Sequence, residues 1–330
     1  MNRHDGPAIL LRGVRKTFGE KVAVEGMDLT IPRGAMYGFI GPNGAGKTTT
    51  LRMVMSILFA DRGEIRVLGE PSALDAKDRI GYLPEERGVY KKMKVGAFLR
   101  YIGRLKGASP DGLDGRIRAW LDRLGLGDTH DKPCEELSKG MQQKVQFLAT
   151  VLHEPDLLIL DEPFSGLDPV NMRLVRELIL EQHARGRTVL FSTHVMSQAE
   201  EICDHVVMIH DGVKVLDAPL TEVRRRHDPR RLLFEPLDPG SPRDALAAVP
   251  GVRRVEAGRG DGAWTVDLME GADASETLRR LVAILPPARV EVDRPSLEDV
   301  FVGIVAGEAG ERSHRAEDLR QAVRVEGGDP

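Results

Sequence analysis

The chain predicts an α/β fold with a second, smaller α+β domain behind it. Three features of its 330 residues carry that expectation. Short apolar runs at Met36–Ile40, Leu157–Leu160, Thr188–Ser192 and His205–Ile209 alternate with stretches whose apolar residues recur at helical spacing. Strands apolar along their whole length are buried on both faces, as in a mostly parallel sheet covered by helices on either side. The first run leads into Gly41-Pro42-Asn43-Gly44-Ala45-Gly46-Lys47-Thr48-Thr49, a glycine-rich loop that precedes a helix. Past residue 222 the order becomes β-α-β-β-α-β, which defines a compact α+β unit of the ferredoxin-like kind.

In chain order, Ala8–Leu11, Val22–Val24 and Met27–Ile31 read as short strands, and Lys16-Thr17-Phe18-Gly19 as a turn carrying one large aromatic. After the glycine loop, Leu51, Val54, Met55 and Leu58 share one face of a helix over 48–58. Strand, loop and helix form the setting in which glycines let backbone N–H groups converge on an anion. The helix N-terminus adds about half a positive charge there. Lys47 would reach the β- and γ-phosphates of a bound nucleotide and the Thr48 hydroxyl would hold Mg²⁺. Gly41, Asn43, Gly44, Gly46 and Thr49 complete the nucleotide-binding loop, with Gly44 an extra glycine in the pattern.

Gly63–Val67 alternates like a strand, Asp75–Arg79 is a short helical link, Ile80–Leu83 is apolar, and residues 84–90 read as a loop. Helical spacing over Val95–Leu105, Leu113–Leu124 and Ser138–Leu152 marks a helical subdomain, residues 91–152, inserted between strands. Within it, Leu137-Ser138-Lys139-Gly140-Met141 opens a helix, with Ser138 as N-cap. A serine hydroxyl, a glycine N–H and a helix N-terminus are also three donors for one phosphate. The strand Leu157–Leu160 ends in Asp161-Glu162. An acid pair at a strand end beside a phosphate loop is placed for Asp161 to hold Mg²⁺ and for Glu162 to deprotonate an attacking water. A helix starts at Pro169, proline being favoured in the first turn, and Val195–Cys203 reads as another.

Composition narrows the class. An apolar content of 41% and a charged content of 30% describe a globular chain with a real core. The net charge of −4 argues against a nucleic-acid-coating protein, so no nucleic-acid partner is expected. Cys134 and Cys203 lack metal-ligand spacing and fit a reducing compartment. No apolar run approaches the ~18 residues of a membrane span, and the start, Met-Asn-Arg-His-Asp-Gly, lacks a signal-peptide pattern. The expectation is a cytoplasmic chain that reaches a membrane only through a partner.

The Gly41–Thr49 loop, the Leu-Ser-Lys-Gly-Met helix start, Leu157–Pro163, Ser165-Gly166-Leu167-Asp168 and Thr193-His194 occur in the order of an ABC-transporter ATPase subunit. Residues 8–222 resemble that family, which implies a P-loop NTPase core (the ABC ATPase fold) with its helical subdomain, ATP and Mg²⁺ as cofactors, and ATP hydrolysis coupled to transport. The resemblance further implies a homodimer in which each phosphate loop faces the Ser138 and Gly140 of a second copy, and a separate integral-membrane permease that holds the subunit peripherally at the inner face of the cell membrane. By the same resemblance Phe18 stacks on adenine, Asp168 contacts the second copy, and His194 reaches the γ-phosphate. Glu85 stands where many relatives have a glutamine that touches Mg²⁺ or the water, which assigns it to the metal set with an added negative charge. Lys139 and Met141 replace commoner residues in the signature.

The segment Gly81–Gly88 and the terminal Pro295-Ser296-Leu297-Glu298-Asp299-Val300-Phe301 resemble the exporter branch of sodium-extrusion and antibiotic-efflux type, which carries an extra C-terminal domain. The domain reading is therefore 1–222 for nucleotide binding, 223–305 for the ferredoxin-like accessory domain, and 306–330 for a disordered tail rich in Gly, Glu and Arg. The alternative is an ABC ATPase without transport, or a regulatory nucleotide-binding module. Ribosome-acting relatives carry two ATPase units and chromosome-acting ones a long coiled coil; neither pattern is present, and Lys47, Asp161, Glu162 and His194 argue against a module without turnover.

Overall fold

The computed structural model describes residues 6–86, 88–226, 231–238, 240–258, 262–269, 271–292 and 296–308. The chain divides into two compact units, Met1–Leu220 together with Phe301–Pro330, and Thr221–Val300.

The first unit opens with β1 (Ile9–Phe18) and β2 (Lys21–Ile31), followed by β3 (Met36–Ile40), α1 (Lys47–Val54) and β4 (Arg62–Val67). β1 lies between β2 and β4 in an antiparallel three-stranded sheet. The residues expected as a turn, Lys16 to Phe18, belong to β1, and the two short strands expected over 22–31 are one. Both strands absorb register shifts along their ladder, so the alternation that marks a strand is broken in sequence while pairing continues. α1 ends at Val54 rather than Leu58, because Ser56 takes a positive φ of 55° and turns the chain. Met55 and Leu58 still pack against the core.

The chain continues through β5 (Ile80–Leu83), α2 (Val95–Leu105), α3 (Leu113–Arg123), α4 (Lys139–Val151), β6 (Leu157–Asp161), α5 (Pro169–Ala184), β7 (Thr188–Thr193), α6 (Met196–Ile202), β8 (His205–His210) and β9 (Val213–Pro219). The main sheet has the order β5-β6-β7-β3-β8-β9 and is parallel except for β9. β9 was not expected. It pairs with β8 across Asp211-Gly212, both at positive φ, an Asp-Gly hairpin turn that the sequence does contain. The central strands β3, β6 and β7 are buried at every residue. Each fully buried Leu, Ile or Phe there contributes about 1.5–3 kcal/mol. The order places the C-terminal ends of β6 and β7 beside that of β3, where the glycine loop begins.

The second unit contains most of α7 (Leu220–Arg226), then β10 (Arg231–Pro236), α8 (Asp244–Ala247), β11 (Val252–Ala257), β12 (Trp264–Leu268), α9 (Ala274–Ile284) and β13 (Pro287–Val292). Its sheet order, β11-β12-β10-β13, is antiparallel throughout. That is the ferredoxin-like arrangement expected from the β-α-β-β-α-β order. Leu232, Phe234, Val255, Val266 and Leu281 form its core. α8 is a single turn. α10 (Leu297–Glu308) begins after Ser296, whose hydroxyl accepts from Asp299 N–H at 3.1 Å. In return the Asp299 carboxylate accepts the Ser296 N–H and hydroxyl, at 3.0 and 2.7 Å. α10 runs through residues 306–308, so these residues, assigned to the tail in the sequence reading, are helical. The remaining tail expectation, 309–330, together with Arg87, residues 227–230 and Pro295, lies outside the described residues.

Candidate nucleotide-binding site

The glycine loop joins β3 to α1. At Gly46 the backbone has φ 105°, and a β-carbon there would lie 2.4 Å from the Ala23 carbonyl oxygen. No L-residue with a side chain fits both conditions. The loop therefore presses against β2 and starts α1 at Lys47, so the first-turn amides, which have no intrahelical acceptor, face the cleft. The buried Lys47 ammonium donates to the Gly41 and Pro42 carbonyls at 2.7 and 3.1 Å.

Across the cleft, β6 ends at Asp161 and pairs with Ser192 of β7. The fully buried Ser192 hydroxyl donates to Asp161 Oδ1 at 2.5 Å and accepts the Glu162 N–H at 3.1 Å. Sequence reasoning missed this serine. Its signal was a hydroxyl inside an apolar strand, which needs a partner once buried. Thr48 Oγ1 also donates to Asp161 Oδ1, at 3.2 Å, whereas Asp161 Oδ2 is buried without a hydrogen-bond partner. Burial pushes the Asp161 carboxyl above its usual range, with Glu162 adding to the rise and hydrogen bonds from Ser192 and Thr48 opposing it.

Glu162 has φ 49°, a strained value for a residue with a side chain. Its two amide contacts, to Ser192 Oγ and O, hold it there. Glu162 Oε1 lies 3.0 Å from His194 Nδ1 and 3.8 Å from Lys47 Nζ. The Thr193 hydroxyl donates to Gln198 and accepts the Val195 N–H, which fixes the turn that carries His194.

Gly46, Lys47, Thr48 and Glu162 line a cleft of about 390 Å³, together with Phe18, Lys21, Ala23, Asn43, Gly44, Thr49 and Glu85. Asp161 and His194 join it through their contacts with Thr48 and Glu162. Phe18 is half exposed at its rim. Burial pushes the Glu85 carboxyl up, and the charges of Asp161 and Glu162 push it further, against Lys47 and His194. A raised carboxyl pKa means that the ionised form is disfavoured in the folded state. That destabilisation is absent in acid and appears as pH rises through the elevated value. Glu85→Gln should therefore raise the melting temperature of the nucleotide-free protein slightly at neutral pH, and the gain should shrink as pH falls toward the carboxylate range. Calorimetric scans of both proteins across that window check it, and a gain that persists in acid would contradict it.

Three of the expected residues are elsewhere. Ser138 caps α4 by accepting the Met141 N–H at 3.3 Å, and Asp168 caps α5 by accepting those of Val170 and Asn171, both at 3.0 Å. The Asn171 bonds, followed by that of Val170, hold the Asp168 carboxyl below its usual range. A methyl group on Gly140 would sit 3.8 Å from Asn171 Nδ2 and 3.9 Å from Leu167. Ser138, Gly140 and Asp168 thus form a second, outward-facing cluster of helix N-termini, and none of them lines the cleft.

A lysine sheathed by loop carbonyls at a helix start, opposed by an acid pair on the neighbouring strand, defines a P-loop nucleotide-binding protein. Comparison with known proteins narrows the class. The family described as ABC transporter matches residues 24–165, and the one described as ATP-binding protein DrrA1-3-like, C-terminal domain, matches residues 219–305. The ABC transporter ATP-binding protein YhaQ of Bacillus subtilis (strain 168), itself uncharacterized, is 40% identical over 296 residues, covering 88% of this chain and 95% of that one. Nod factor export ATP-binding protein I of Rhizobium sp. (strain N33) is 32% identical over 306 residues, covering 91% and 98%. A solved structure titled as the ATP-binding subunit of an ABC transporter superposes with a TM-score of 0.62 at 31% identity, covering 66% of this chain and 92% of that one. The chain belongs to the ABC transporter ATP-binding protein family, and membership implies ATPase activity. Among the described residues no helix is long and apolar enough to cross a membrane.

Proposed function

We propose that the chain is the ATP-hydrolysing subunit of an ABC exporter, acting as a homodimer on a separate integral-membrane permease. The observation that carries this reading is the separation of two half-sites. The cleft is lined by Lys47, Thr48, Glu162 and Glu85, with Asp161 bonded to Thr48, while Ser138, Gly140 and Asp168 stand apart from it. Two copies set head to tail would bring each cleft against the other copy's Ser138 and Gly140, with Asp168 at the same contact. The triphosphate would then be gripped from both sides only in the closed pair, which gives ATP the differential affinity that a conformational cycle needs.

Within the cleft, adenine would stack on Phe18 and the phosphates would lie in the loop built by Gly41, Asn43, Gly44, Gly46 and Thr49. Lys47 would exchange the Gly41 and Pro42 carbonyls for phosphate oxygens. Asp161 fits a cation: its Oδ2 is buried without a partner and its charge is disfavoured by burial. Asp161 and Thr48, with Glu85 near them, would hold Mg²⁺, which supplies charge neutralisation for the phosphates when bound. Glu162 would take the proton of the attacking water, and His194, hydrogen-bonded to Glu162 Oε1, would orient it and meet the γ-phosphate.

The domain roles follow. Residues 1–222 bind nucleotide, with 91–152 as the helical subdomain, and 223–305 are the accessory domain that adds a dimer contact. The groove lined by Tyr90, at the end of the 84–90 loop, with Met93 and Tyr101, offers the apolar surface on which a permease would rest. Export is supported by the relatives named for Nod factor export, and a subunit in that role would sit at the cytoplasmic face of the membrane. Mg²⁺-dependent ATP turnover by the purified chain tests the reading, and no turnover with or without the cation overturns it. Phe18→Ala should raise KM for ATP on the order of tenfold with kcat changed less than about twofold, as expected for loss of one stacking contact. Steady-state kinetics check this, and a fall in kcat alone would exclude stacking.

A further inference from the structure

The half-exposed Phe18 ring ends β1 at the point where that strand loses its second neighbour. The β1–β4 ladder stops at the pair Arg15↔Arg62, and the β1–β2 register shifts between Lys16 and Thr17. A strand end with one neighbour and a bulge has an unpaired edge, and its last side chains are free to swing. Asp61, one residue before β4, occupies that edge. Its N–H donates to the Arg15 carbonyl at 2.9 Å. Its Oδ2 accepts the Thr17 N–H at 2.7 Å and the Thr17 hydroxyl at 2.8 Å, and its Oδ1 accepts the Lys16 ammonium at 2.7 Å. The Lys16 ammonium in turn lies 5.6 Å from the centroid of the Phe18 ring.

We propose that Asp61 is a positioning residue for the nucleobase platform. Its carboxylate replaces the missing ladder at the end of β1, ties down Lys16 and Thr17, and so holds the Phe18 ring at the rim of the cleft in the orientation that receives the base. This deepens the stacking role assigned to Phe18 and rests on it.

Lys16 has a part in the same device. A cation near one face of an aromatic ring is attracted by the ring quadrupole. Anchored by Asp61, Lys16 holds Phe18 from one side and leaves the other for the base. The three bonds to Asp61 bring its carboxyl down to about 2, led by the Lys16 bond and then the Thr17 hydroxyl, so the clamp stays charged across the pH range in which the protein would work. Neither Asp61 nor Lys16 lines the cleft. The effect on nucleotide is therefore indirect and confined to the base.

The test is equilibrium binding of Mg²⁺–ATP and of Mg²⁺–tripolyphosphate to the full chain and to Asp61→Ala, Asp61→Asn, Phe18→Ala and the Phe18→Ala/Asp61→Ala double variant. Asp61→Ala should weaken ATP binding by about fivefold to tenfold, within the loss expected when one base–aromatic stack is disordered. Tripolyphosphate affinity should not change. Asp61→Asn keeps a carbonyl acceptor for Thr17 and should recover most of the ATP affinity. In the Phe18→Ala background, Asp61→Ala should have no further effect. Equal weakening of ATP and tripolyphosphate, or additive losses in the double variant, would make Asp61 a merely structural residue and overturn the proposal. Unchanged ATP affinity in Asp61→Ala alongside a loss in Phe18→Ala would overturn it too, while leaving the stacking role intact. No loss in Phe18→Ala would remove the stacking role itself.

Discussion

Glu162→Gln should lower ATP turnover by about 100-fold or more, the scale of a lost general base, while ATP binding is retained. Glutamine keeps the length and shape of the side chain. Its carbonyl oxygen can still accept from His194, so the 3.0 Å contact and the strained backbone at φ 49° have every reason to persist. What is lost is the ability to take a proton. The charge change works in favour of binding, because Glu162 stands beside Asp161 and Glu85, whose carboxyls, raised first by burial, are pushed further up by its charge. Neutralising it leaves fewer negative groups opposite a triphosphate. The protein should therefore bind ATP at least as well as before and be unable to discharge it. If two copies close around the nucleotide, that state should accumulate as a dimer stable in sedimentation with ATP and dissociating with ADP. Turnover at the original rate would remove Glu162 from the role of base. Loss of turnover with no ATP-dependent dimer would keep the base and remove the head-to-tail pair.

The sequence was most informative where chemistry and backbone geometry demand the same residues. The glycine loop could be read because only glycine meets the conditions at Gly46, and because its flanking strand and helix carry different periodicities. The acid pair at Asp161-Glu162 could be read because a continuous apolar strand ends there abruptly. The ferredoxin-like order of the second unit followed from alternating strands such as Arg231–Pro236, which bury one face only. The long, bent β1 and β2 were harder to read. Their register shifts break the period of two that identifies a strand, so Lys16–Phe18 resembled a turn. β9 was missed because Lys214, Asp217 and Pro219 break up its apolar run, although Asp211-Gly212 marked the hairpin. Ser192 escaped notice for a related reason. Its importance lies in the Asp161↔Ser192 pairing of two strands distant in sequence, and no local pattern encodes that register. The separation of Ser138, Gly140 and Asp168 from the cleft is likewise a property of the folded chain, since the cap at Ser138 was legible whatever its distance from Lys47, and Asp168 was assigned through the family resemblance alone.

Lys47→Ala should reduce ATP affinity by about 100-fold or more and abolish measurable turnover, a larger binding effect than any other single change discussed. The ammonium serves two sets of groups. It satisfies the Gly41 and Pro42 carbonyls at 2.7 and 3.1 Å, and it lies 3.8 Å from the buried Glu162 carboxylate. Removing one partner of a buried charged pair typically costs about 3–5 kcal/mol because the other charge stays behind. Here the His194 contact at Glu162 Oε1 softens that cost for the folded protein. The nucleotide has no such substitute. Without Lys47 it would meet Asp161, Glu162 and Glu85 with the helix N-terminus, worth only about half a charge, as the main opposing field. Arginine should not rescue the site, because Lys47 is 6% exposed and its head group is enclosed by loop carbonyls that a planar guanidinium cannot match. Titration calorimetry with Mg²⁺–ATP on Lys47→Ala and Lys47→Arg measures both effects, with circular dichroism confirming that the fold persists. Wild-type affinity in either variant would mean that the loop amides alone hold the triphosphate. The buried ammonium would then be a structural strut between the loop and Glu162 and not a ligand to phosphate.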